Sequence, residues 1–594
     1  MDDAMERPVG PLAERAGFGS DVVAETLRAL DIPFIALVPG ASFRGLEDSL
    51  VNYLGNQRPS MLVCLHEESA VAIAHGYAKV TGRAMAAALH SNVGLLHAGM
   101  AIFNAWCDRM PIVVLGATGP VDAGKRRPWI DWIHTARDQG ALVRHFVKWD
   151  DQPASPAAAR EAIVRAAWLA QTPPMAPVYV NLDAEMQEAP LGEPVPPIDP
   201  ARFAPAPAAG VPADALARAA EALRGARRPV LLVGRVSRSV TAWDRRVRLA
   251  ERLGARVITD LKVGAGFPTD HPLHAGAPAI FAGADAARAL READLVLSLD
   301  WVDLAGTLKA ALGHEAPDAT IVHCSLDHAL HNGWSMDHQG LPPVDLHLAV
   351  DPDRAASDLL AAVGEGPRAT DPGPPGAPGA LTGALTGALS GALTIERLAH
   401  ELRQAVGGRH VSLLHLPLGW SGASWPFRHP LDFLGSDGGG GVGAGPGISV
   451  GAALALRGSG RLPIGILGDG DYLMGVTALW TAVHYRIPLL VVIANNRSFF
   501  NDEVHQERMA RQRGRPIENR WIGQRLADPE IDLAQLARAQ GALGFGPVGA
   551  PGELAAALAS AIAAVDEGAV AVVDARVEPG YTPAMASAVA RSSP

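Results

Sequence analysis

Residues 465–496 read GILGDGDYLMGVTALWTAVHYRIPLLVVIANN and contain two apolar runs that each end on small polar residues. The first run ends at Asp469, between two glycines, and the second ends at the pair Asn495 and Asn496. This pattern predicts two buried strands joined by a crossover helix. Because the carboxyl ends of parallel strands meet at one edge of a sheet, we expect Asp469 and Asn496 to lie close together.

The same alternation recurs along the chain and indicates the fold class. Short β-like runs such as PIVVLGA, RPVLLVG and ADLVLSLD alternate with Ala-rich helical stretches. This pattern predicts an α/β protein of three domains, each a parallel sheet covered by helices. Changes in composition place the domains at 18–190, 212–355 and 395–585, with a Gly/Ala/Pro-rich linker at 368–393.

The overall amino-acid composition indicates which kinds of molecule the protein binds. The 594 residues are 48% hydrophobic and 19% charged, with a formal net charge of −11 and no basic run, so we expect neither nucleic acid nor an anionic membrane as a partner. No apolar run reaches the ~18 residues of a bilayer span, and the first residues, MDDAMERPVG, are acidic and contain no apolar stretch of the kind found in signal peptides. The three cysteines indicate no disulfide framework and no zinc site. We therefore expect a soluble, cytoplasmic protein with a small-molecule substrate.

The two strand ends carry groups suited to a metal and a phosphate. Gly468 and Gly470 let the backbone approach a ligand, and the amides at the start of the next helix can bind phosphate. The oxygens of Asp469 and Asn496 suit Mg²⁺ bridging to a diphosphate. Each motif alone also fits an ordinary tight turn or helix cap, so the prediction depends on the two occurring together.

Together the two motifs resemble the thiamine diphosphate signature of the superfamily that contains 2-oxo acid decarboxylases and acetolactate synthases. The resemblance implies thiamine diphosphate and Mg²⁺ as cofactors and a 2-oxo acid as substrate. The implied metal ligands are Asp469, Asn496 and the main-chain carbonyl of Ser498. The implied cofactor-binding residues of this stretch are Gly468, Asp469, Gly470, Asp471 and Asn496.

The N-terminal third carries a second motif, LHEESAVAIAHGYAKVTGR. The resemblance places the catalytic glutamate of the family on Glu67, nine residues before Gly76. A buried carboxylate against the pyrimidine ring of the cofactor is suited to proton transfer near pH 7. Two other interpretations stay open at this point: Glu67 as a charge that stabilises the helix dipole, and Glu68 as part of a solvated helix face.

A glycine-rich segment, DGGGGVGAGPGISVGAALAL, precedes the GDG motif. Such glycine density predicts backbone that wraps closely around a ligand. In the family, a carbonyl in this loop receives the amino group of the cofactor, and a large apolar side chain bends the cofactor. The matching residues are Gly440 and Val442, although valine is smaller than the usual leucine, methionine or isoleucine.

The stretch AALHSNVGLLHAGM indicates which members of the superfamily are most similar. His90 lies 23 residues after Glu67, which resembles the active-site pattern of benzoylformate decarboxylases and implies a second catalytic residue. The alternative is a histidine that caps a turn. Two departures stand against the match: Ala41 occupies the expected serine position, with Ser42 one place along, and residues 293–306 lack the second histidine of these enzymes.

We therefore expect a decarboxylase. The alternatives are a carboligase of the acetolactate synthase type and a catalytically silent module that keeps the fold. A single glycine after the strand RPVLLVG is too weak a signal to infer FAD. The helix after the asparagines could contact substrate through residues such as Glu503, or could be solvated. The family assembles its sites between subunits, which implies a homodimer or homotetramer.

Overall fold

Three separate parallel sheets organise the chain, and they confirm the predicted α/β fold class. The computed structural model describes residues 5–313, 317–330, 340–364 and 392–581. The predicted linker at 368–393 lies outside these residues except for its last two positions. None of the described helices has the length and apolar character that crossing a bilayer would need.

The first sheet has six strands: β1 (Phe34–Leu37), β2 (Ser60–Val63), β3 (Met85–Leu89), β4 (Ile112–Thr118), β5 (Asp150–Asp151) and β6 (Val178–Asp183). They pair in parallel in the order β2-β1-β3-β4-β6-β5. Its helices are α1 (Gly19–Ala29), α2 (Arg44–Asp48), α3 (Glu67–Thr81), α4 (Ser91–Cys107), α5 (Ile130–Ile133), α6 (Pro156–Gln171) and α7 (Ala184–Glu188). Every residue of β3 and β4 is buried, as expected for strands with helices on both faces.

The second sheet has five strands: β7 (Pro229–Val233), β8 (Arg256–Ile258), β9 (Leu295–Leu299), β10 (Thr320–Cys324) and β11 (Leu346–Leu348). Their order is β11-β10-β9-β7-β8, again all parallel. The helices are α8 (Ala213–Gly225), α9 (Val240–Leu253), α10 (Ala284–Glu292), α11 (Leu304–Leu312) and α12 (Pro352–Val363). Gly234, the one glycine after β7, packs against Asp300, since an added Cβ would lie 2.1 Å from the Asp300 carbonyl oxygen.

The third sheet also has five strands: β12 (Val411–His415), β13 (Leu462–Gly468), β14 (Leu489–Asn495), β15 (Leu543–Val548) and β16 (Val570–Arg576). They lie in the order β12-β13-β14-β16-β15 and pair in parallel. The helices are α13 (Ile395–Val406), α14 (Ala444–Ala455), α15 (Asp469–Gly475), α16 (Ala478–His484), α17 (Phe500–Gln512), α18 (Leu533–Ala539) and α19 (Pro551–Asp566). The opening stretch of sequence thus forms β13, two consecutive helices and β14, where we had predicted a single crossover helix.

Helices α3 and α14 join the first and third parts of the chain. Glycines allow the two backbones to touch: a Cβ at Gly76 would lie 2.0 Å from the Ile448 carbonyl oxygen, and one at Gly451 would lie 1.8 Å from the Ile73 carbonyl oxygen. Both distances are far below any real Cβ contact. This glycine seam, defined by Gly76 and Gly451, fixes the start of α3 relative to the loop before α14.

Candidate active site

Asp469 and Asn496 meet at the carboxyl ends of β13 and β14. Gly468 pairs with Ala494 in the sheet, so the two following loops are adjacent. The amide of Ser498 donates to Asp469 Oδ2 at 3.1 Å and to Asn496 Oδ1 at 2.9 Å. The structure therefore brings the carboxylate, the amide oxygen and Ser498 together, as the spacing of the two motifs predicted.

The two asparagines have different surroundings. Asn495 is buried and donates through Nδ2 to Asp574 Oδ1 at 2.9 Å, which anchors the strand end. Its own Oδ1 accepts from the amide of Arg497 at 3.1 Å. Arg497 has a φ of 58°, a left-handed conformation that turns the chain so that Ser498 faces Asp469. Asn495 thus shapes the loop, while Asn496 keeps a half-buried oxygen at the site.

The Asp469 carboxylate lies in an environment suited to a cation. It is 5% exposed, and the amides of Gly470 and Ser498 are its hydrogen-bond donors among the described residues. Burial raises the pKa of Asp469 to about 6 in spite of these hydrogen bonds. A buried carboxylate without a charged partner is costly, and a bound divalent cation would compensate for it.

Glu503 is buried and supports the loop that carries Ser498. Ser498 Oγ donates to Glu503 Oε1 at 2.6 Å, and Glu503 is 2% exposed. Arg525 and Arg520 lie 3.4 and 3.6 Å from its carboxylate oxygens. Most of α17 is exposed or half-buried, which agrees with the alternative of a solvated charged helix, whereas Glu503 itself is buried. Its charge is used to hold the loop that carries Ser498.

The glycine loop, residues 437–443, lies beside the GDG motif. The amide of Gly443 donates to Asp471 Oδ1 at 2.7 Å, which ties the loop to the start of α15. Gly440 has a φ of 74° and donates its amide to Asp437 Oδ1 at 2.9 Å. Val442, predicted to bend the cofactor, is 44% exposed. The loop therefore presents backbone and one apolar side chain next to the predicted diphosphate site.

His415, at the end of β12, is a residue that the sequence analysis missed. It is buried between two carboxylates, with Nδ1 3.8 Å from Asp471 Oδ2 and Nε2 4.0 Å from Asp437 Oδ2. Burial opposes the charge of His415, but Asp437 and Asp471 together outweigh it and raise the pKa. Among the described residues, neither ring nitrogen nor Asp471 Oδ2 has a hydrogen-bond partner. A protonated His415 can donate to a polar ligand such as a diphosphate, whereas Asp471 Oδ2 can only accept.

Glu67 begins α3 and lies on the glycine-loop side of the glycine seam. It is 7% exposed, and its Oε2 accepts a hydrogen bond from His97 Nδ1 at 3.0 Å. The neighbouring Glu68 is half-buried, and its pKa is raised by burial and by the charge of Asp471. Glu68 is therefore not on a solvated face. The start of α3 faces the GDG motif, since a Cβ at Gly447 would lie 3.3 Å from the Ser69 carbonyl oxygen and the nearby Gly445 amide donates to Asp471 Oδ1 at 3.2 Å.

His90 and Ser42 form a second polar pair near Glu67. His90 occupies the N-cap position of α4, but its side chain makes no capping hydrogen bond. Its Nδ1 lies 2.8 Å from Ser42 Oγ, so the one-place shift of this serine does not remove it from the site. The ring of His134 lies 4.7 Å from that of His90, edge to face. Burial, and then the charge of His134, lowers the pKa of His90.

The residues missed by sequence reasoning lie on loops or on a neighbouring helix face. His134 is brought to His90 because Ser91 Oγ donates to the His134 carbonyl at 2.7 Å, and Asn92 Nδ2 donates to the Ile133 carbonyl at 3.2 Å. No short sequence motif predicts such a contact between segments that are distant in the chain. For His415 a signal existed that we did not use, since it ends the short apolar run VSLLH much as Asp469 ends its own run.

Models of the thiamine pyrophosphate enzyme family match three parts of the chain. The N-terminal TPP binding domain matches residues 18–142, the central domain matches 216–335, and the C-terminal TPP binding domain matches 418–575. Together they account for more than half of the chain. The two TPP binding domains contain Glu67 and Asp469 respectively.

Two curated relatives cover most of the chain. Benzoylformate decarboxylase of Pseudomonas aeruginosa is 27% identical over 444 residues, which is 73% of this chain and 78% of that protein. A probable acetolactate synthase large subunit of Methanocaldococcus jannaschii is 24% identical over 506 residues, covering 81% and 80% of the two chains. The relatives thus include both a decarboxylase and a carboligase.

Solved structures share the fold. The thiamine diphosphate-dependent 4-hydroxybenzoylformate decarboxylase of Rhodococcus jostii superposes with a TM-score of 0.75 at 24% identity, covering 95% of this chain and 99% of that one. Benzoylformate decarboxylase of Polynucleobacter necessarius gives a TM-score of 0.78 at 20% identity, covering 96% and 100%. At these identities the likeness concerns the three-part architecture.

Proposed function

We infer that this chain, which belongs to the thiamine pyrophosphate enzyme family, acts as a 2-oxo acid decarboxylase of the benzoylformate decarboxylase type. The family relationship makes it an enzyme that uses thiamine diphosphate. The observation that carries the finer proposal is the pair formed by His90 Nδ1 and Ser42 Oγ, 2.8 Å apart. The His90 carbonyl accepts from the Gly94 amide at 2.7 Å, and Gly94 packs against the Glu67 side chain, so the pair lies beside Glu67. This pair supplies a polar wall on the side where a substrate would lie.

The metal and diphosphate end of the site is assigned to the third sheet. Asp469, Asn496 and the carbonyl of Ser498 would hold Mg²⁺, in keeping with its preference for hard oxygen ligands. The glycine loop and the start of α15 would hold the diphosphate, with His415 as an added buried donor. Thiamine diphosphate supplies an electron sink that makes loss of CO₂ from a 2-oxo acid possible.

The proton chemistry is assigned to the first part of the chain. Glu67 is held at the start of α3, where its carboxylate would exchange a proton with the pyrimidine end of the cofactor. The lowered pKa of His90 keeps its ring neutral near pH 7, so one ring nitrogen can donate a hydrogen. With Nδ1 engaged by Ser42, Nε2 is the atom that would orient the substrate carboxylate or transfer a proton to the product.

The assembly and the organisation of the chain are also proposed. The domain ranges 18–190, 212–355 and 395–585 each contain one of the three sheets. We expect a homodimer or homotetramer with sites at the subunit interface, where Glu67 of one chain would complete the site that holds Asp469 and Asn496 of another. The sequence did not support a FAD site, and flavin is not part of the proposal.

The test is CO₂ release with Mg²⁺ and thiamine diphosphate from benzoylformate, phenylpyruvate, pyruvate and branched 2-oxo acids, with the organic product identified. Aldehyde from an aryl substrate is expected, and Glu67→Gln should reduce its formation by about 100-fold or more. A hydroxyketone from pyruvate would assign the chain to the carboligases instead. Tight cofactor binding without CO₂ from any substrate would identify a catalytically silent module.

A further inference from the structure

We propose that His97 is a positioning residue that fixes the carboxylate of Glu67 for its work on the cofactor. His97 Nδ1 lies 3.0 Å from Glu67 Oε2, and an ionised carboxylate can only accept, so Nδ1 carries the hydrogen. This inference rests on the proposed role of Glu67. It adds a residue whose part in the site neither the sequence motifs nor the comparisons indicate.

The same face of α4 touches Glu67 at two points. Gly94 and His97 are three residues apart and therefore lie one above the other on the helix. A Cβ at Gly94 would lie 3.1 Å from Glu67 Cγ and 3.3 Å from Oε1. The stem of Glu67 thus passes over Gly94, and Oε2 ends on His97. With one oxygen held, the orientation of the other is set as well.

A second histidine fixes the ring of His97. The rings of His66 and His97 are stacked, with centroids 5.2 Å apart and planes inclined by 17°. His66 is the N-cap of α3, and its Nδ1 accepts from the Glu68 amide at 3.2 Å. Its hydrogen is therefore on Nε2, and the ring is neutral. His66 thus offers a rigid, neutral face that restricts rotation of His97, whose side chain is otherwise 53% exposed.

A metal site is the other way to interpret the same three residues. His66, Glu67 and His97 each offer one ligand atom, and these atoms all lie within 4.8 Å of one another. The lone pairs of imidazole lie in the plane of the ring, and two rings stacked in different planes cannot both point them at one ion without reorienting. The geometry therefore favours a hydrogen bond and a stack over coordination.

The experiment compares His97→Leu with His97→Asn in the full-length protein. The side-chain amide nitrogen of asparagine can take the place of Nδ1, so His97→Asn keeps the donor while His97→Leu removes it. We expect His97→Leu to lower kcat about 10-fold to 100-fold with KM little changed, the effect of losing one charge-assisted hydrogen bond, and His97→Asn to restore most of the loss. Calorimetry on the apoprotein should show thiamine diphosphate binding weakened about 3-fold to 10-fold by leucine, and less by asparagine.

A double-mutant cycle separates this inference from the proposed function. In a Glu67→Gln background, His97→Leu should have no further effect on kcat, because its partner is already lost. If Glu67→Gln itself leaves kcat unchanged, the role of Glu67 fails. If Glu67→Gln lowers kcat but His97→Leu lowers it further by the same factor as in the parent protein, only the role of His97 fails. The same conclusion follows if His97→Leu and His97→Asn lower kcat equally. Stoichiometric Zn²⁺ binding to the apoprotein that His97→Leu abolishes would assign a metal site and overturn the positioning role.

Discussion

At the scale of single residues, His134 is the neighbour that tunes His90. The two rings are 4.7 Å apart, and the other charged groups that act on His90 are Glu67 and Arg127. His134→Phe removes a positive charge while keeping a ring, so the pKa of His90 should rise. The ionisation assigned to His90 in the pH profile of kcat/KM should therefore move to higher pH.

The control for this prediction is His145→Phe, since His145 is exposed and belongs to a different segment. It should leave the pH profile in place. An unchanged ionisation in His134→Phe would mean that His134 stays neutral over the working range, and that burial alone lowers the pKa of His90.

The residues that sequence could predict are those that directly follow strands. Asp469 and Asn496 were placed together because the sheet is parallel, and the structure shows them sharing the amide of Ser498. His97 and His134 could not be predicted in the same way. Their contacts depend on which face of α4 packs against α3 and on where the loop that carries His134 packs. The spacing of residues along the chain does not predict either.

At the scale of secondary structure elements, the glycine seam between α3 and α14 should tolerate no side chain. A Cβ at Gly451 would lie 1.8 Å from the Ile73 carbonyl oxygen, so Gly451→Ala must push the two helices apart. We expect a loss of about 1–3 kcal/mol in the free energy of unfolding, the usual cost of overpacking. Activity should fall as well, because α3 carries Glu67. Denaturant unfolding and kcat measure the two effects.

The matched control is Gly99→Ala on α4, where no atom lies within 4 Å of the added Cβ. Alanine is the better helix former there, so stability should stay the same or rise by up to about 1 kcal/mol. If Gly451→Ala and Gly99→Ala lowered the free energy of unfolding equally, the glycine seam would be less tightly packed than its geometry indicates. The glycines of this seam were visible in the sequence, but their partners were not, because the two helices are far apart in the chain.

At the scale of the whole molecule, the central part should make the protein sensitive to acid. Burial lowers the pKa of His274 and of His323 to about 4. In the unfolded chain both titrate near about 6.5, so the unfolded state binds more protons between these values. Stability should therefore be complete above about pH 6.5 and fall as the pH drops towards 4. Melting temperatures between pH 7 and pH 4.5 test this.

His274→Gln should make that dependence shallower, because it removes one of the two titrating groups. Its ring bonds Thr259 Oγ1 at 2.9 Å, and glutamine can keep a polar contact there. A melting temperature that does not change with pH in the parent protein would show that these histidines stay accessible to protons in the folded state.

The assembly can be tested by mixing two inactive variants. Glu67→Gln and Asp469→Asn each disable one half of the site. If Glu67 of one chain completes the site that holds Asp469 of its partner, a mixed dimer contains one intact site, and we expect activity to return after co-expression. Activity that stays at the level of the separate variants would mean that each chain builds its own site, through the α3–α14 contact described within one chain.

The glycine seam has a consequence for how such an enzyme can be re-engineered. Where two backbones touch directly, no side chain can change rotamer to absorb a substitution. The position of Glu67 relative to the GDG motif is therefore held rigidly by the glycine seam. The surroundings of His90, by contrast, are built from side chains on loops and helix ends, such as Ser42 and His134. Libraries aimed at new substrates should vary the residues around His90 and keep Glu67, His90 and the glycine seam, so that the assigned proton chemistry is kept while substrate preference changes.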